Sequence, residues 1–375
     1  MFENLSWYDL QVYWWIIVSL LGATLVFMSF VQGGQSLLNS VAKRDIEKDL
    51  VVNALGRKWE LTFTSLVVFG GALFAAFPLF YATSFGGAYY LWMAILFCFI
   101  IQAVAYEYRS KPNNLFGKRG YELFLFINGS IGIFLLGVAI ATLFSGGHFI
   151  RDDMNLSRWT LESYGLEALL NIFNVAFGLM LVFLARILGN LYFINSIADE
   201  NINKRAKRAL KIDTIIFLIL FGYVTYTILT MDSFRFKDNG VIYKDSLVYL
   251  TNFLEMPLLL VAFVLGAILL LIGIYLGAFK NSPKGFWNAG GGVVLVVISL
   301  LLILGLNHTV FYPSLDDMQS SLTIANSSGS KYTLMVMAYV SLMVPFVIWY
   351  IAIVWRALSR KKIDIKEIKN DPHHY

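Results

Sequence analysis

The stretch Leu55-Gly-Arg-Lys-Trp-Glu-Leu-Thr-Phe-Thr-Ser-Leu-Val-Val-Phe-Gly-Gly-Ala-Leu-Phe-Ala-Ala-Phe-Pro78 decides the fold. Arg57 and Lys58 lead into an apolar run long enough to cross a bilayer, for which a helix needs about 20 residues. Outward from it the pattern recurs, with basic clusters at 43–58, 109–119, 204–211 and 356–369 on alternate sides of long apolar runs. Nine such runs are predicted as membrane helices, at approximately 12–31, 61–84, 89–106, 122–145, 166–194, 212–231, 256–278, 287–306 and 332–357. The chain reads as an all-α polytopic membrane protein, one integral membrane domain over 1–375 with a tail at 358–375.

Composition agrees. The sequence is 58% hydrophobic and 14% charged, whereas an ordinary soluble domain carries roughly 25% charged residues. So few charges cannot clothe a water-soluble surface. The loops after helices one, three, five and seven, with the stretch from Arg356 on, hold 22 Lys and Arg, and the N-terminus and remaining loops hold 6. That asymmetry predicts an outside N-terminus and a cytoplasmic C-terminus. It also explains the +5 net charge as membrane orientation, so no nucleic-acid partner is expected. Cys98 is the one cysteine, which excludes an intramolecular disulfide. The first apolar run is flanked by Glu3 and Asp9 with no basic segment before it, so a retained helix is expected and not a cleaved signal peptide.

Local features refine the expected packing. The Ser84-Phe85-Gly86-Gly87 turn makes helices two and three an antiparallel hairpin, and Pro78 and Pro345 interrupt helices two and nine. Gly273 with Gly277, and Gly290 to Gly292, let helices approach closely. Tyr13, Trp14, Trp15, Tyr89, Tyr90, Trp349, Tyr350 and Trp355 are expected as interfacial anchors. The long outer loops at 146–165, 232–255 and 307–331 are expected to be solvated caps.

Motifs of soluble-enzyme chemistry are missing: no Walker loop, HExxH or GxSxG occurs. His148 and His308 fall at outer helix ends and His373 and His374 in the tail, so no mid-membrane histidine offers an axial haem ligand. Ionisable groups at membrane depth are costly, at least about 2.5–3.5 kcal/mol on insertion scales, which singles out Glu60 and Glu107 at the cytoplasmic ends of helices two and three. Each is either an interfacial cap paired with a neighbouring Arg or Lys, or a carboxyl that takes up cytoplasmic protons. Arg186, two turns before the inner end of helix five, either snorkels or answers a negative group on a partner.

The opening segment also resembles subunit II of cytochrome bd quinol oxidases, above all in Gly70-Gly71-Ala72-Leu73-Phe74-Ala75-Ala76-Phe77-Pro78 followed by Tyr81-Ala82. Further matching stretches are Asn53-Ala54-Leu55, Tyr106-Glu107-Tyr108-Arg109-Ser110-Lys111, Tyr312-Pro313-Ser314, Ser321-Leu322-Thr323 and Tyr332-Thr333-Leu334-Met335-Val336-Met337. They cover nearly the whole chain. The sequence departs from the family where an Asp-Gly-Phe-Asp-like motif is usual and this chain has Gln32-Gly33-Gly34-Gln35. It departs again where Trp-Asp-Gly-Asn is usual and Trp59-Glu60-Leu61-Thr62 stands. It looks like a divergent branch.

The resemblance implies two four-helix bundles plus one peripheral helix, in a bacterial cytoplasmic (inner) membrane. It implies a heterodimer that passes electrons from a quinol to dioxygen in aerobic respiration, with two b haems and haem d (or its b-type substitute) in the partner, subunit I. This chain is then expected to bind no cofactor or metal with its own ligands and to hold no catalytic residue. It scaffolds subunit I among membrane lipids, with room for a small accessory subunit. Trp59, Gly70, Gly71 and Pro78 are implied packing positions, and a proton route is carried over to Glu60, with Glu107 and the polar relays Gln32 and Gln35 as further candidates. A secondary transporter or channel is the alternative, against which the apolar midplanes count. A self-sufficient cytochrome is disfavoured by the histidine placement.

Overall fold

A computed structural model describes residues 2–359 and 361–370; His373, His374 and the rest of 371–375 lie outside the described residues. Among the described residues, eight unbroken helices are long and apolar enough to span a membrane. They are α1 (Trp7–Val41), α2 (Asp45–Ala76), α3 (Tyr89–Tyr108), α4 (Gly117–Ser145), α5 (Ile172–Ser196), α6 (Glu200–Thr230), α7 (Pro257–Ala278) and α8 (Lys284–Gly305). A ninth span, α9, is Lys331–Ser341 joined to Val344–Leu358 across a 41° bend. Pro345 sits in the first turn after that bend, where its missing N–H costs nothing.

Helix ends follow side-chain chemistry more than hydropathy. Ser6 and Asp9 form a capping box at the start of α1, and Glu47 accepts from the N–H groups of Lys43 and Arg44 at the start of α2. Asn171 and Asp199 cap α5 and α6, so α5 begins at Ile172 and the expected residues 166–170 form a separate 3-10 turn. Helix α2 ends at Ala76 because Phe77, preceding Pro78, leaves the helical region with φ −130°, as the residue before a proline tends to do. Pro78 then opens a short turn that passes into a π-helical turn at Ala82–Gly87, the expected hairpin connection.

Helices α1–α4 form one bundle and α5–α8 a second, with α1 and α4 packed on α5 and α1 also on α8. Glycines set the seam. A methyl on Gly33 would fall 1.9 Å from the Ala185 carbonyl oxygen, and one on Gly189 would fall 2.6 Å from the Gly34 nitrogen. Within the second bundle Gly273 meets Ala289 and Gly285, while Gly292 meets Gly266, so the expected close approach is α7 on α8. Helix α9 lies outside both bundles. It touches α1 through Trp14 Nε1–H to the Leu334 carbonyl at 2.9 Å and Tyr13 to Ser341 at 2.5 Å, and its second half buries no residue.

One expectation is corrected and another refined. Trp14 and Trp15 are only 6% and 3% exposed; both donate their indole N–H to backbone carbonyls, so they are core residues and not interfacial anchors. The long outer loops are solvated, with Asp153, Asp232, Asp238, Asp316 and Asp317 exposed, but they also interlock as a layer. Hairpins β1–β2 (Phe149–Arg151, Ser157–Trp159) and β3–β4 (Ser233–Phe236, Ile242–Asp245) pack with the segment 306–330. The loops join through Gly147 N–H to Pro313 O, Gln319 to Ile242, and Val310 N–H to Phe234 O. Phe149, Phe311, Tyr312 and Leu322 are buried within this layer, which covers the end of the bundles where Trp7 also donates to Gly329. The tail is at the opposite, basic end, where Ile363 exchanges backbone hydrogen bonds with Ser196 and Ala198.

Candidate functional site

The interior of the first bundle holds a column of uncharged polar side chains. Gln32 and Gln35 on α1, Gln102 and Tyr106 on α3, and Asn128 on α4 are all essentially fully buried. The two α1 glutamines are on one face because they are three residues apart, one helical turn. Asn128 reaches them from a π-helical turn, Asn128–Gly132. That turn presses Gly129 onto α1 so closely that a methyl there would lie 2.3 Å from the Gln32 carbonyl oxygen.

Gln102 Oε1 is the hub. It accepts from Gln32 Nε2 at 2.9 Å, Gln35 Nε2 at 2.5 Å and Asn128 Nδ2 at 2.7 Å. Gln35 Nε2 also donates to the Tyr106 hydroxyl at 3.0 Å, and Asn128 Nδ2 to Gln35 Oε1 at 3.0 Å. Reversing the Gln102 amide would set its NH2 against three other NH2 groups, so the orientation is fixed by the network. Three atoms, Gln32 Oε1, Gln102 Nε2 and Asn128 Oδ1, have no partner among the described residues. The column is therefore under-satisfied, the condition in which a buried polar group retains capacity for another bond.

Toward the basic end the column meets charge. One turn beyond Tyr106, the wholly buried Arg109 donates to Asp49 Oδ1 at 2.7 Å and to Glu122 Oε1 at 3.0 Å, and Lys48 pairs with Glu122 at 2.6 Å. Trp59 stacks on Tyr106 with ring centroids 5.5 Å apart. Lys58, beside it, is buried with its ammonium 4.3 Å from the Trp355 ring centroid.

The structure brings Gln32 and Gln35 together and separates the two carboxylates from them. Glu60 is exposed, on a stripe of α2 that continues through Thr64, Val67, Val68, Gly71 and Phe74. Glu107 is exposed and pairs with Lys111 one turn on, at 3.5 Å. Gly70 is buried with Phe85 against it, Gly71 opens to free space, and Pro78 starts the turn after α2.

Sequence reasoning passed over Gln102, Asn128 and Asp213. Gln102 is a lone polar residue in an apolar run, Asn128 interrupts another, and Asp213 is an acidic residue at the start of a third, which was the available signal. Arg186 neither snorkels nor waits for a partner subunit: its Nε donates to Asp213 Oδ1 of α6 at 3.0 Å, and Asn190 Nδ2 bonds the other carboxylate oxygen at 3.0 Å. Of the histidines, His148 and His308 belong to the outer layer. His148 bonds Asp316 at 2.9 Å, and His308 pairs with Asp238 at 3.4 Å. Asp316 is partly desolvated, which opposes ionisation, but hydrogen bonds from Thr160 and His148 outweigh this and hold its carboxyl below the usual range.

Between the bundles lies an apolar cavity walled by Trp15, Phe80, Phe144, Met180, Phe217 and Leu301. A second, more polar cavity of about 360 Å³ sits under the outer layer, near Trp92, Ser145, Glu167 and Asn174.

Comparison with known proteins places the chain. The family described as "Cytochrome bd terminal oxidase subunit II" matches residues 10–358. The "Cytochrome bd-I ubiquinol oxidase subunit 2" of Escherichia coli K12 is 26% identical over 97% of this chain and 98% of its own length. The "Cytochrome bd ubiquinol oxidase subunit 2" of Bacillus subtilis is also 26% identical, over 94% of this chain and 97% of its own. Among solved structures, that of bd oxidase from Geobacillus thermodenitrificans shares the fold with a TM-score of 0.64 at 13% identity, covering 93% of this chain and 98% of the other. With nine spans in this arrangement and a family match over nearly its whole length, the chain belongs to the cytochrome bd terminal oxidase subunit II family.

Proposed function

We propose that this chain braces a haem-bearing subunit I in a bacterial inner-membrane quinol oxidase and carries a proton route from the cytoplasmic face, without binding haem itself. The observation that carries the reading is the stripe of α2 that ends in Glu60. Of the eight unbroken spans α2 buries the smallest share of its apolar stretch, 17%. Left against lipid at the interfacial end of the apolar stretch, the Glu60 carboxylate would be unfavourable, though below the roughly 2.5–3.5 kcal/mol of a charge at the bilayer centre. A protein partner over the stripe removes that cost and turns Thr64 and Gly71 into points of close helix approach.

The residues do not fit a haem. The cavity between the bundles has no imidazole among its lining residues and offers Met180 alone as a soft ligand, while His148 and His308 engage carboxylates in the outer layer. Electron transfer and oxygen chemistry therefore fall to the partner, and no step of either is assigned to this chain. Its own residues hold protons. Asp49 and Glu122 form a carboxylate entrance at the basic end, Tyr106 leads inward, and Gln35, Gln102, Asn128 and Gln32 relay through bonds that can exchange donors. Glu60 adjoins this column through Trp59, which stacks on Tyr106, and faces the proposed partner. The excess of Lys and Arg at that end supports its assignment to the cytoplasm.

Three measurements test the proposal. Val68→Arg with Gly71→Arg should reduce recovery of the haem-rich partner on co-purification, and the chain expressed alone should show no haem absorbance; intrinsic haem bands would overturn the non-haem assignment. Glu60→Gln should slow quinol-driven oxygen consumption while haem content stays normal. Turnover at the wild-type rate would remove Glu60 from the route.

A further inference from the structure

At the basic end, a pocket of about 670 Å³ opens between the ends of α5, α8 and α9 and the start of the tail. Arg57, Arg356, Lys361 and Lys362 line it, and no carboxylate is among its lining residues. The nearest one that engages a lining cation is Glu367, which bonds Arg57 from the tail helix. Behind the wall, the buried Lys58 ammonium has no hydrogen-bond partner among the described residues and rests over the Trp355 ring. Trp355 and Trp287, whose ring centroids are 5.7 Å apart, form one side of the pocket.

Below the cations the pocket is apolar. Ile348 and Ile351 line it and continue onto the exposed flank of α9, where Phe346, Val347 and Trp349 are all more than half exposed. A site charged at one end, apolar at the other, and open sideways at the level of indole rings matches an amphiphile lying in the bilayer, with its anionic head among the cations. A soluble anion would use the charged end and leave the apolar wall uncovered.

We propose that this pocket is a binding site for an anionic phospholipid, whose phosphate headgroup sits among Arg57, Arg356 and Lys361 and whose acyl chains run down α9. The lipid fastens the peripheral helix to the second bundle. Along its span the second half of α9 buries no residue against the protein, and its end is tied by Trp355 and by the tail contacts of Lys362 to Ile194 and Ile363 to Ser196.

The test is lipid titration of the intact oxidase complex by native mass spectrometry, using phosphatidylglycerol, phosphatidylcholine and inorganic phosphate as probes. Phosphatidylglycerol should bind at least tenfold more tightly than phosphatidylcholine. Arg356→Gln with Lys361→Gln should weaken phosphatidylglycerol binding by about 30-fold, since each basic group near an anionic surface contributes on the order of a fivefold factor. Both side chains are exposed, so the fold should survive, which unchanged haem spectra would verify. Lys204→Gln with Arg208→Gln, at exposed positions on α6, should leave that binding unchanged. The proposal is overturned by equal binding of the two lipids, by an undiminished affinity in the pocket variant, by an equal loss in the α6 variant, or by displacement of lipid by equimolar phosphate. A pocket already filled by an acidic segment of a partner chain would likewise refuse added lipid and overturn it.

Discussion

The two four-helix bundles bury polar groups at similar depth in opposite ways. In the first, three amide side chains donate to one crowded acceptor, the Gln102 carbonyl oxygen, a phenol accepts from one of them, and three polar atoms have no partner among the described residues. In the second, a guanidinium and one amide close on a carboxylate so that Asp213 has both oxygens bonded, and Asn190 Oδ1 alone of the three groups' oxygens has no partner among the described residues. A satisfied ion pair has one arrangement and resists change. An under-satisfied amide cluster, even with the Gln102 amide held in place, keeps unused donors and acceptors through which its bonds can exchange with another polar group. The contrast assigns rigidity to the second bundle and exchangeable hydrogen bonding to the first.

The most damaging way to break this contrast is to strand a charge in the second bundle. Arg186→Leu leaves the Asp213 carboxylate buried without its cation, and the purified complex should lose about 3–5 kcal/mol. The double variant Arg186→Leu with Asp213→Leu should recover most of that in thermal unfolding. A double variant as unstable as the single one would show that the pair does more than neutralise itself. In the first bundle, Gln102→Leu removes the shared acceptor, strands the Gln32 amide and leaves Gln35 and Asn128 one bond each, at a cost of about 1–3 kcal/mol. Oxygen consumption should fall along with it. Stability that drops while turnover per haem stays whole would make the column purely structural.

Weaker effects belong to the surfaces. Asp316 is held ionised in the fold below the range of a free carboxylate. Its contribution is therefore fully present above the unfolded value and disappears as pH falls through the lower folded one. For a half-exposed pair this amounts to about 1 kcal/mol at most, so acid melts of wild type and Asp316→Asn should converge at low pH and separate slightly near neutrality. Least of all, Glu107→Gln removes an exposed pair with Lys111 and should change stability by no more than about 0.5 kcal/mol; a marked loss of turnover would return Glu107 to the proton route.

The membrane class and the spans were legible because hydropathy and basic-loop alternation are set directly by the bilayer. Helix limits were not. Helices α1, α2 and α6 run past the lipid into the basic end, where backbone bonding continues but apolar composition stops, so Val41, Asp45 and Glu200 carry no hydropathic mark. Gln32 and Gln35 were visible as polar intrusions in an apolar helix. Their meeting with Asn128 depends on a π-helical turn that no spacing rule encodes. Trp14 and Trp15 read as interfacial until the segment 306–330 and α9 are folded over them. The salt bridge of Arg186 needed only the observation that Asp213 is an acidic residue inside the sixth apolar run, facing a basic one inside the fifth.

The glycine seam bears on how the chain is made. Gly33 and Gly189 are separated by a stretch that a ribosome needs about 8–30 seconds to deliver. For that interval the first bundle sits in the membrane with a bare ridge whose only close-fitting cover has not yet been synthesised. Biogenesis is thus obliged to be sequential, and a gene divided in the loop between α4 and α5 should yield two halves that are each unstable alone and recover one another when produced together.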